Sequence, residues 1–378
     1  MKVLHFYKTY YPSSFGGIEQ VIFQLAEGCQ RLGVKAEVLS VATGMSRHSQ
    51  IIGSHLAHYA KQDLQLASTA FSREAIPMFR ELSKDADIIH YHYPWPFMDL
   101  AHFCVRPAKP CILSYHSDIV RQRTLRHIYG PLMNRFLSAM DRIVAASPNY
   151  AASSPVLQRY ADKVQIIPYG LDESSYPKPD DSTLKKWRTR IGGDFYLFVG
   201  VLRYYKGLHV LLDAMAGLEL PLVIAGSGPA EAELRQKCAR LGLRNVHLVG
   251  EVSEQDKAAL LELSKALVFP SHLRSEAFGI SLLEGAMYGK PLISCEIGTG
   301  TTFINIAGET GLTVPPADSA ALRSAILRLW QDPALRATLG AGARKRFEQL
   351  FSSHQMSEKY FDLYCEALTN RKPHSRGL

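Results

Sequence analysis

Short apolar runs alternate with amphipathic stretches along almost the whole chain. In the first half the runs fall at 3–7, 36–41, 87–91, 111–115, 142–147 and 164–169. In the second half they fall at 196–201, 222–225, 246–249, 266–269 and 292–294. They are short, and in the second half their alternation with helical patterns implies parallel strands covered on both faces. Helical patterns separate them. One runs over 18–32 and stops at Gly33. Others cover 121–137, 149–160 and the stretch after Gly279, where Ile280, Leu283 and Met287 share a face. Gly289 and Pro291 end that last helix. Gly130-Pro131 is expected to break or kink the 121–137 helix. Residues 43–80 are polar and read as helix plus loop. From Asp318 the chain reads as helical, and its last helix, 355–368, puts Tyr360, Phe361, Tyr364 and Leu368 on one face.

The pattern predicts an α/β protein of two Rossmann-like halves, which suits 378 residues. Residues 173–181 are rich in Pro, Ser and Asp and read as the linker. The expected domains are 1–172 together with 355–378, and 190–354.

Composition adds three points. An apolar fraction of 47% supports sizeable cores. No apolar run reaches the length of a membrane span, and the start passes within two residues into a strand pattern, so no signal peptide is expected. Six scattered cysteines form no C-x-x-C pair, which fits a reducing cytoplasm and no structural zinc. Charge is uneven. Residues 1–170 hold 18 Lys and Arg against 12 Asp and Glu, and the remainder 25 against 23. A basic first half fits a polyanionic partner or an anionic membrane surface, although a basic isoelectric point also simply aids solubility. Within it, 121–137 mixes Arg121, Arg123, Arg126 and Arg135 with apolar residues. That is a candidate lipid-facing element, or an ordinary helix with snorkelling arginines.

The densest chemistry lies in 270–291, PSHLRSEAFGISLLEGAMYGKP. Glu276 sits in a loop, and Glu284 follows eight residues later inside a helix pattern. If helical throughout, that spacing is roughly 12 Å, about the distance from the sugar of a nucleotide-sugar to its ribose. The amides of Gly279 and Ile280 lie between, where a helix start attracts a diphosphate. An amphipathic helix with two solvated glutamates has the same spacing. A second cluster, 200–207, carries Arg203 and Lys206 three residues apart in a loop leaving a strand. Such cations can stabilise the charge that grows on a departing nucleotide diphosphate. Other candidates also follow strands, at the ligand end of an open α/β sheet. Gly16-Gly17 lets the backbone approach a phosphate. The aromatic stretch 91–96 could wall a sugar pocket or simply pack. His116 stands beside Asp118, and Ser117 or Asp118 could cap a helix from Ile119. Gly226-Ser227-Gly228-Pro229 makes a tight turn. Val252 is placed for a base, and Thr301 lies in a Gly- and Thr-rich loop suited to phosphate or sugar hydroxyls. Asp85-Ala86-Asp87 precedes a strand and reads as a turn, not a metal motif.

The run Glu276-Ala277-Phe278-Gly279-Ile280-Ser281-Leu282-Leu283-Glu284 resembles the E-x7-E motif of retaining glycosyltransferases of family four, which have the GT-B fold. Gly200 to Gly207 matches that family's phosphate-binding G-x-L-R-x-x-K-G, and 168–172 resembles the turn closing its first domain. The likeness implies two facing Rossmann-like domains, with a C-terminal helix crossing back to the first. It implies a nucleotide-sugar held by Arg203, Lys206, Glu276 and Glu284 and by the Phe278, Gly279 and Ile280 segment. Glu276 would meet sugar hydroxyls and Glu284 the ribose. Gly16 and Gly17 would meet the donor phosphate, and His116 the donor sugar. No metal is implied, and no cofactor beyond the donor. Gly298-Thr299-Gly300-Thr301-Thr302 departs from the common family pattern and resembles bacterial mannosyl- and rhamnosyltransferases of O-antigen assembly that use GDP-sugars. The expected acceptor is a lipid-linked saccharide at the cytoplasmic face of the inner membrane, to which the protein would bind peripherally. A UDP-hexose transferase, a nucleotide-sugar epimerase, a phosphorylase and a silent binding subunit are the alternatives. No nucleic-acid module accompanies the basic charge.

Overall fold

A computed structural model describes residues 1–44, 47–66, 69–119 and 123–369, with the backbone alone over 123–128. The chain forms two compact units, one comprising Met1–Gly170 and the chain from Ser353, the other Leu171–Ser352.

The first unit contains β1 (Lys2–Phe6), β2 (Lys35–Ala42), β3 (His48–Ile52), β4 (His55–Lys61), β5 (Leu64–Leu66), β6 (Thr69–Phe71), β7 (Ile88–Tyr93), β8 (Cys111–Tyr115), β9 (Arg142–Ala145) and β10 (Val164–Ile166). Its helices are α1 (Gly17–Gln30), α2 (Ala75–Asp85), α3 (Pro96–Val105), α4 (Arg123–Ser138), α5 (Pro148–Ser153) and α6 (Pro155–Arg159), plus a terminal helix, Ser353–Thr369. Eight strands make one sheet in the order β10-β9-β8-β7-β1-β2-β4-β3, and β5 and β6 form a separate hairpin. Only β3 runs antiparallel in the large sheet, against β4. Asp87 ties two central strands together: its carboxylate accepts the Lys2 amide at 2.7 Å.

Three expectations need correction. Residues 43–80 contain four strands before α2, not helix plus loop. Their polar histidines masked the pattern, because their partners are remote: His55 meets Glu27 at 2.7 Å and His58 lies 3.4 Å from Glu37. The helix expected over 149–160 is two helices. Ser154 ends α5 and caps α6 through the Leu157 amide, and Pro155 lacks the N–H that a continuous helix needs. Conversely, α4 runs unbroken through Gly130-Pro131. Arg121 lies outside the described residues, as do the side chains of Arg123 and Arg126, while Arg135 stacks on Phe103 at 5.2 Å.

The terminal helix buries Met356, Tyr360, Leu363 and Tyr364, whereas Leu368 is exposed and 370–378 lie outside the described residues. It packs against α1 at Gly28, where a Cβ would stand 2.0 Å from Ser357 Oγ. Gly28→Val should therefore destabilise this unit by about 1–3 kcal/mol through overpacking. Urea denaturation measures it, and an unchanged midpoint would refute the close approach.

The second unit contains α7 (Asp181–Ile191), β11 (Tyr196–Val199), α8 (Leu208–Met215), β12 (Leu222–Ala225), α9 (Glu231–Leu241), β13 (Val246–Gly250), α10 (Glu254–Leu263), β14 (Ala266–Phe269), α11 (Ile280–Met287), β15 (Leu292–Cys295), α12 (Thr301–Ile304), β16 (Gly311–Val314), α13 (Ser319–Gln331) and α14 (Pro333–Leu350). All six strands are parallel, in the order β13-β12-β11-β14-β15-β16. β14 and β15 are buried along their whole length, and Phe198, Ile224, Val268, Leu212 and Ile326 sit in the core between sheet and helices. The sequence reading missed β16, a four-residue strand whose Gly311 is packed directly on the Leu292 carbonyl.

Strand order reverses between β1 and β7 in the first unit and between β11 and β14 in the second. In open α/β sheets such reversals splay the adjoining loops and leave a crevice at the strand carboxyl ends.

Candidate functional site

The loops leaving β11 and β14 flank the reversal in the second unit. Glycines let the first of them lie close to its neighbours. Gly226 has φ +137°, and a Cβ there would fall 2.0 Å from the Gly200 carbonyl. The Leu202 amide donates to Ser227 O at 2.8 Å. So the Gly226–Pro229 turn braces the loop that carries Arg203 and Lys206. Gly207, at φ +70°, would place a Cβ 2.0 Å from Pro270 O, and the His272 amide donates to Tyr205 O at 3.0 Å.

This contact brings the two sequence clusters together. Lys206 Nζ donates to Glu276 Oε2 at 2.5 Å, and Ser271 Oγ donates to the same oxygen at 3.0 Å. Lys206 is 9% exposed and Glu276 8%. Burial alone would lower the lysine pKa, but the Glu276 carboxylate outweighs it and the ammonium is held above its ordinary value. Arg203 is exposed, and no carboxylate pairs with it among the described residues. One cation is thus fixed beside an acid and another stands open three residues away.

Gly279 caps α11 at φ +101°, so the helix begins at Ile280 and Glu276 lies in the preceding loop. The 12 Å estimate, which assumed one helix, does not apply. Phe278 is buried and packs edge-on to Phe351. Glu284 is buried on the second turn, where Tyr176 and Lys257 reach it. Bonds join the 296–302 loop to the Glu276 loop: the Gly300 amide reaches Ala277 O at 2.8 Å, and Arg274 Nη1 reaches Gly298 O at 3.1 Å. Thr301 turns its hydroxyl inward to Thr299 and Cys295 O. The segment carrying Val252 is joined at Gly250 O to the Gly226 amide at 2.7 Å. The second unit therefore gathers Arg203, Lys206, Val252, Glu276, Phe278, Gly279, Ile280, Glu284 and Thr301 at the carboxyl ends of its strands.

In the first unit, Gly16 caps α1 and Gly17 opens it, both with negative φ. Glu19, which sequence reasoning did not single out, organises this loop. Its Oε1 accepts from Thr9 at 2.7 Å and Ser14 at 2.8 Å. The 91–96 stretch is not an exposed aromatic wall. Tyr91, His92 and Tyr93 belong to β7, and with Trp95 they are fully buried. His116 is also buried, and both ring nitrogens are engaged: Nε2 with His92 Nδ1 at 2.9 Å, and Nδ1 with the Tyr169 hydroxyl at 2.5 Å. His92 Nε2 continues to His5 Nδ1 at 3.0 Å. His90, beside them, meets Tyr364 at 2.7 Å and Ser114 at 2.8 Å. Burial holds the His5 and His116 pKa values down at about 3, and burial with histidine neighbours holds His90 and His92 well below the ordinary value. His5, His90 and His92 each bring a ring nitrogen within 4.8 Å of the others, the one group of potential metal ligands among the described residues. His5 and His92 are joined by a hydrogen bond, and His90 stacks beside them with its nitrogens on Tyr364 and Ser114. Asp118 does not begin a helix at Ile119, since α4 starts at Arg123; its Oδ1 accepts from Tyr115 and Ser154.

Comparison with known proteins places this geometry. Residues 181–346 match the family model for glycosyl transferases group 1, and 15–175 match that for glycosyltransferase family 4. The chain is 57% identical over 353 residues to D-rhamnosyltransferase WbpZ of Pseudomonas aeruginosa, covering 93% of each. It belongs to the family 4 glycosyltransferases. A second relative of this glycosyltransferase, O-antigen chain mannosyltransferase C of Escherichia coli, is 47% identical over 98% of this chain and 100% of that one. Among solved structures, sucrose-phosphate synthase from Thermosynechococcus elongatus superposes with a TM-score of 0.81 at 22% identity, covering 98% of this chain and 100% of that one. The likeness establishes the GT-B fold. Sequence reasoning missed Ser271, Tyr176 and Lys257 in this glycosyltransferase. Ser271 stood inside the motif region, but Tyr176 and Lys257 carry no local signal and are found only through their contact with Glu284.

Proposed function

We propose that this glycosyltransferase moves a hexose, D-rhamnose or mannose, from a GDP-sugar to a hydroxyl of a lipid-linked saccharide in bacterial O-antigen synthesis. The anomeric configuration is retained and no metal takes part. The observation that carries the reading is the meeting of Arg203, Lys206 and Glu276 at one strand-order reversal. The printed names of the two relatives support the choice of sugar and polysaccharide. Arg203 and Lys206 absorb charge on the diphosphate as the bond from the anomeric carbon to the phosphate oxygen breaks. Glu276 accepts hydrogen bonds from sugar hydroxyls, and Glu284 accepts them from the ribose. The amides of Phe278, Gly279, Ile280 and Thr301 serve phosphate and sugar, and Val252 the base. In the first unit, Gly16 and Gly17 are assigned to ligand contact, His116 reaches the donor sugar only by giving up one of its two internal hydrogen bonds, and that unit receives the acceptor. The acceptor oxygen bonds to the anomeric carbon on the face that the diphosphate leaves. The diphosphate departs with the electron pair, and its oxygen takes the acceptor's proton. No side chain is required as a base.

Peripheral attachment to the cytoplasmic membrane face is part of the proposal. It is supported by the basic first half, and no helix among the described residues is long and apolar enough to cross a membrane. Calorimetry with GDP, UDP and ADP in the presence of a chelator tests the donor assignment. GDP should bind at least about tenfold more tightly than either rival, a gap of about 1.4 kcal/mol. Tighter binding of UDP or ADP, or binding that needs a divalent ion, would overturn it.

A further inference from the structure

We infer that Tyr176 and Lys257 are positioning residues that fix the Glu284 carboxylate for a ribose diol. The inference rests on the reading that the second unit binds a GDP-sugar. Both residues act on one oxygen. The Tyr176 hydroxyl donates to Glu284 Oε1 at 3.0 Å, and Lys257 Nζ lies 3.0 Å from the same atom. Oε2 takes no bond from any described residue, and it is not among the sealed polar atoms that lack a partner. The carboxylate is thus anchored on one side and open on the other.

The anchors are themselves built in. Lys257, from the first turn of α10, also pairs with Glu254 at 2.8 Å and lies 5.3 Å over the Tyr176 ring. Tyr176 is 8% exposed and Glu284 3%. Tyr176 ends a segment pinned near its other end, where Glu173 pairs with Arg344 at 2.8 Å. Arg344 in turn donates to the Met287 carbonyl at the end of α11. The segment and the helix are therefore tied at two points, and one of them is the acid. Two donors and a ring hold the acid before ligand arrives, so binding does not have to order a flexible glutamate. An ionised acceptor in a fixed place suits vicinal hydroxyls, because hydrogen bonds to a charged acceptor are the strong ones.

The test compares the calorimetric affinities of the full chain for GDP and for 2′,3′-dideoxy-GDP. Wild type should prefer GDP by at least about tenfold, as expected for loss of a hydrogen bond to a charged group. Tyr176→Phe and Lys257→Met should each weaken GDP binding about five- to twentyfold and leave the dideoxy nucleotide within about twofold, so the preference collapses. Lys257→Arg should retain part of it. Equal losses on both nucleotides, or undiminished GDP binding, would overturn the inference. Wild type that binds GDP with no preference for the ribose sinks the inference and spares the donor assignment. Wild type that binds no GDP sinks both. Tyr176→Phe keeps the ring and its packing, so the test survives a misfolded Lys257 variant.

Discussion

Lys206→Met should cut sugar transfer by about a thousandfold, the scale seen when one donor to a developing charge is lost from an enclosed site. It should also lower stability by about 3–5 kcal/mol, because Glu276 would be left as a buried charge without its partner. The two effects separate in a double variant. Lys206→Met with Glu276→Gln removes both charges and leaves a neutral pair of similar shape. Much of the lost stability should return while transfer stays lost. Initial rates and urea midpoints for the single and double variants form the cycle that measures this. Transfer by Lys206→Met within threefold of wild type would show that the ammonium is structural only.

Acid should unfold the first unit, and the histidine chain is the reason. Its rings are neutral in the fold. His5 and His116 are held at about 3, His102 at about 4, and His90 and His92 are pushed well below 6.5. The unfolded chain therefore binds more protons than the folded one between pH 6.5 and about 3. The contribution is fully present above pH 6.5 and is lost as pH falls. Each ring contributes a slope of about 1.4 kcal/mol per pH unit within that window. If half of this is realised for the chain of four, His5, His90, His92 and His116, stability should fall by about 3 kcal/mol per unit below pH 6. Trp95, buried in this unit, reports the transition once Trp187 and Trp330 are replaced by Phe. His92→Asn should make the slope shallower. Stability that is flat from pH 7 to pH 5 would refute the account.

Much of this was legible in the sequence because parallel α/β strands are written as local apolar runs. The 111–115, 222–225 and 266–269 runs became β8, β12 and β14 with the same bounds. The Glu276 and Lys206 clusters stood out as charges and glycines in loops after strands, and it was the likeness to the family's motifs that gave them roles. What stayed hidden depends on partners remote in sequence. β4 carries two histidines whose carboxylates lie on α1 and β2, and β3 pairs with β4. Tyr91-His92-Tyr93 reads as a polar aromatic loop until His102, His5 and His116 supply its hydrogen bonds and make it core. Tyr176 lies 108 residues from Glu284. No period or motif links them, and only the fold brings the hydroxyl to the acid.

The central claim is transfer from a GDP-sugar with retention, and proton NMR of the product tests it most directly. The purified protein is incubated with GDP-D-rhamnose or GDP-mannose, a lipid-diphosphate saccharide acceptor and a chelator. The account predicts a new glycoside whose anomeric configuration equals that of the donor sugar, formed at an undiminished rate without divalent ions. A product of inverted configuration, or free isomerised nucleotide-sugar with no glycoside, would contradict it.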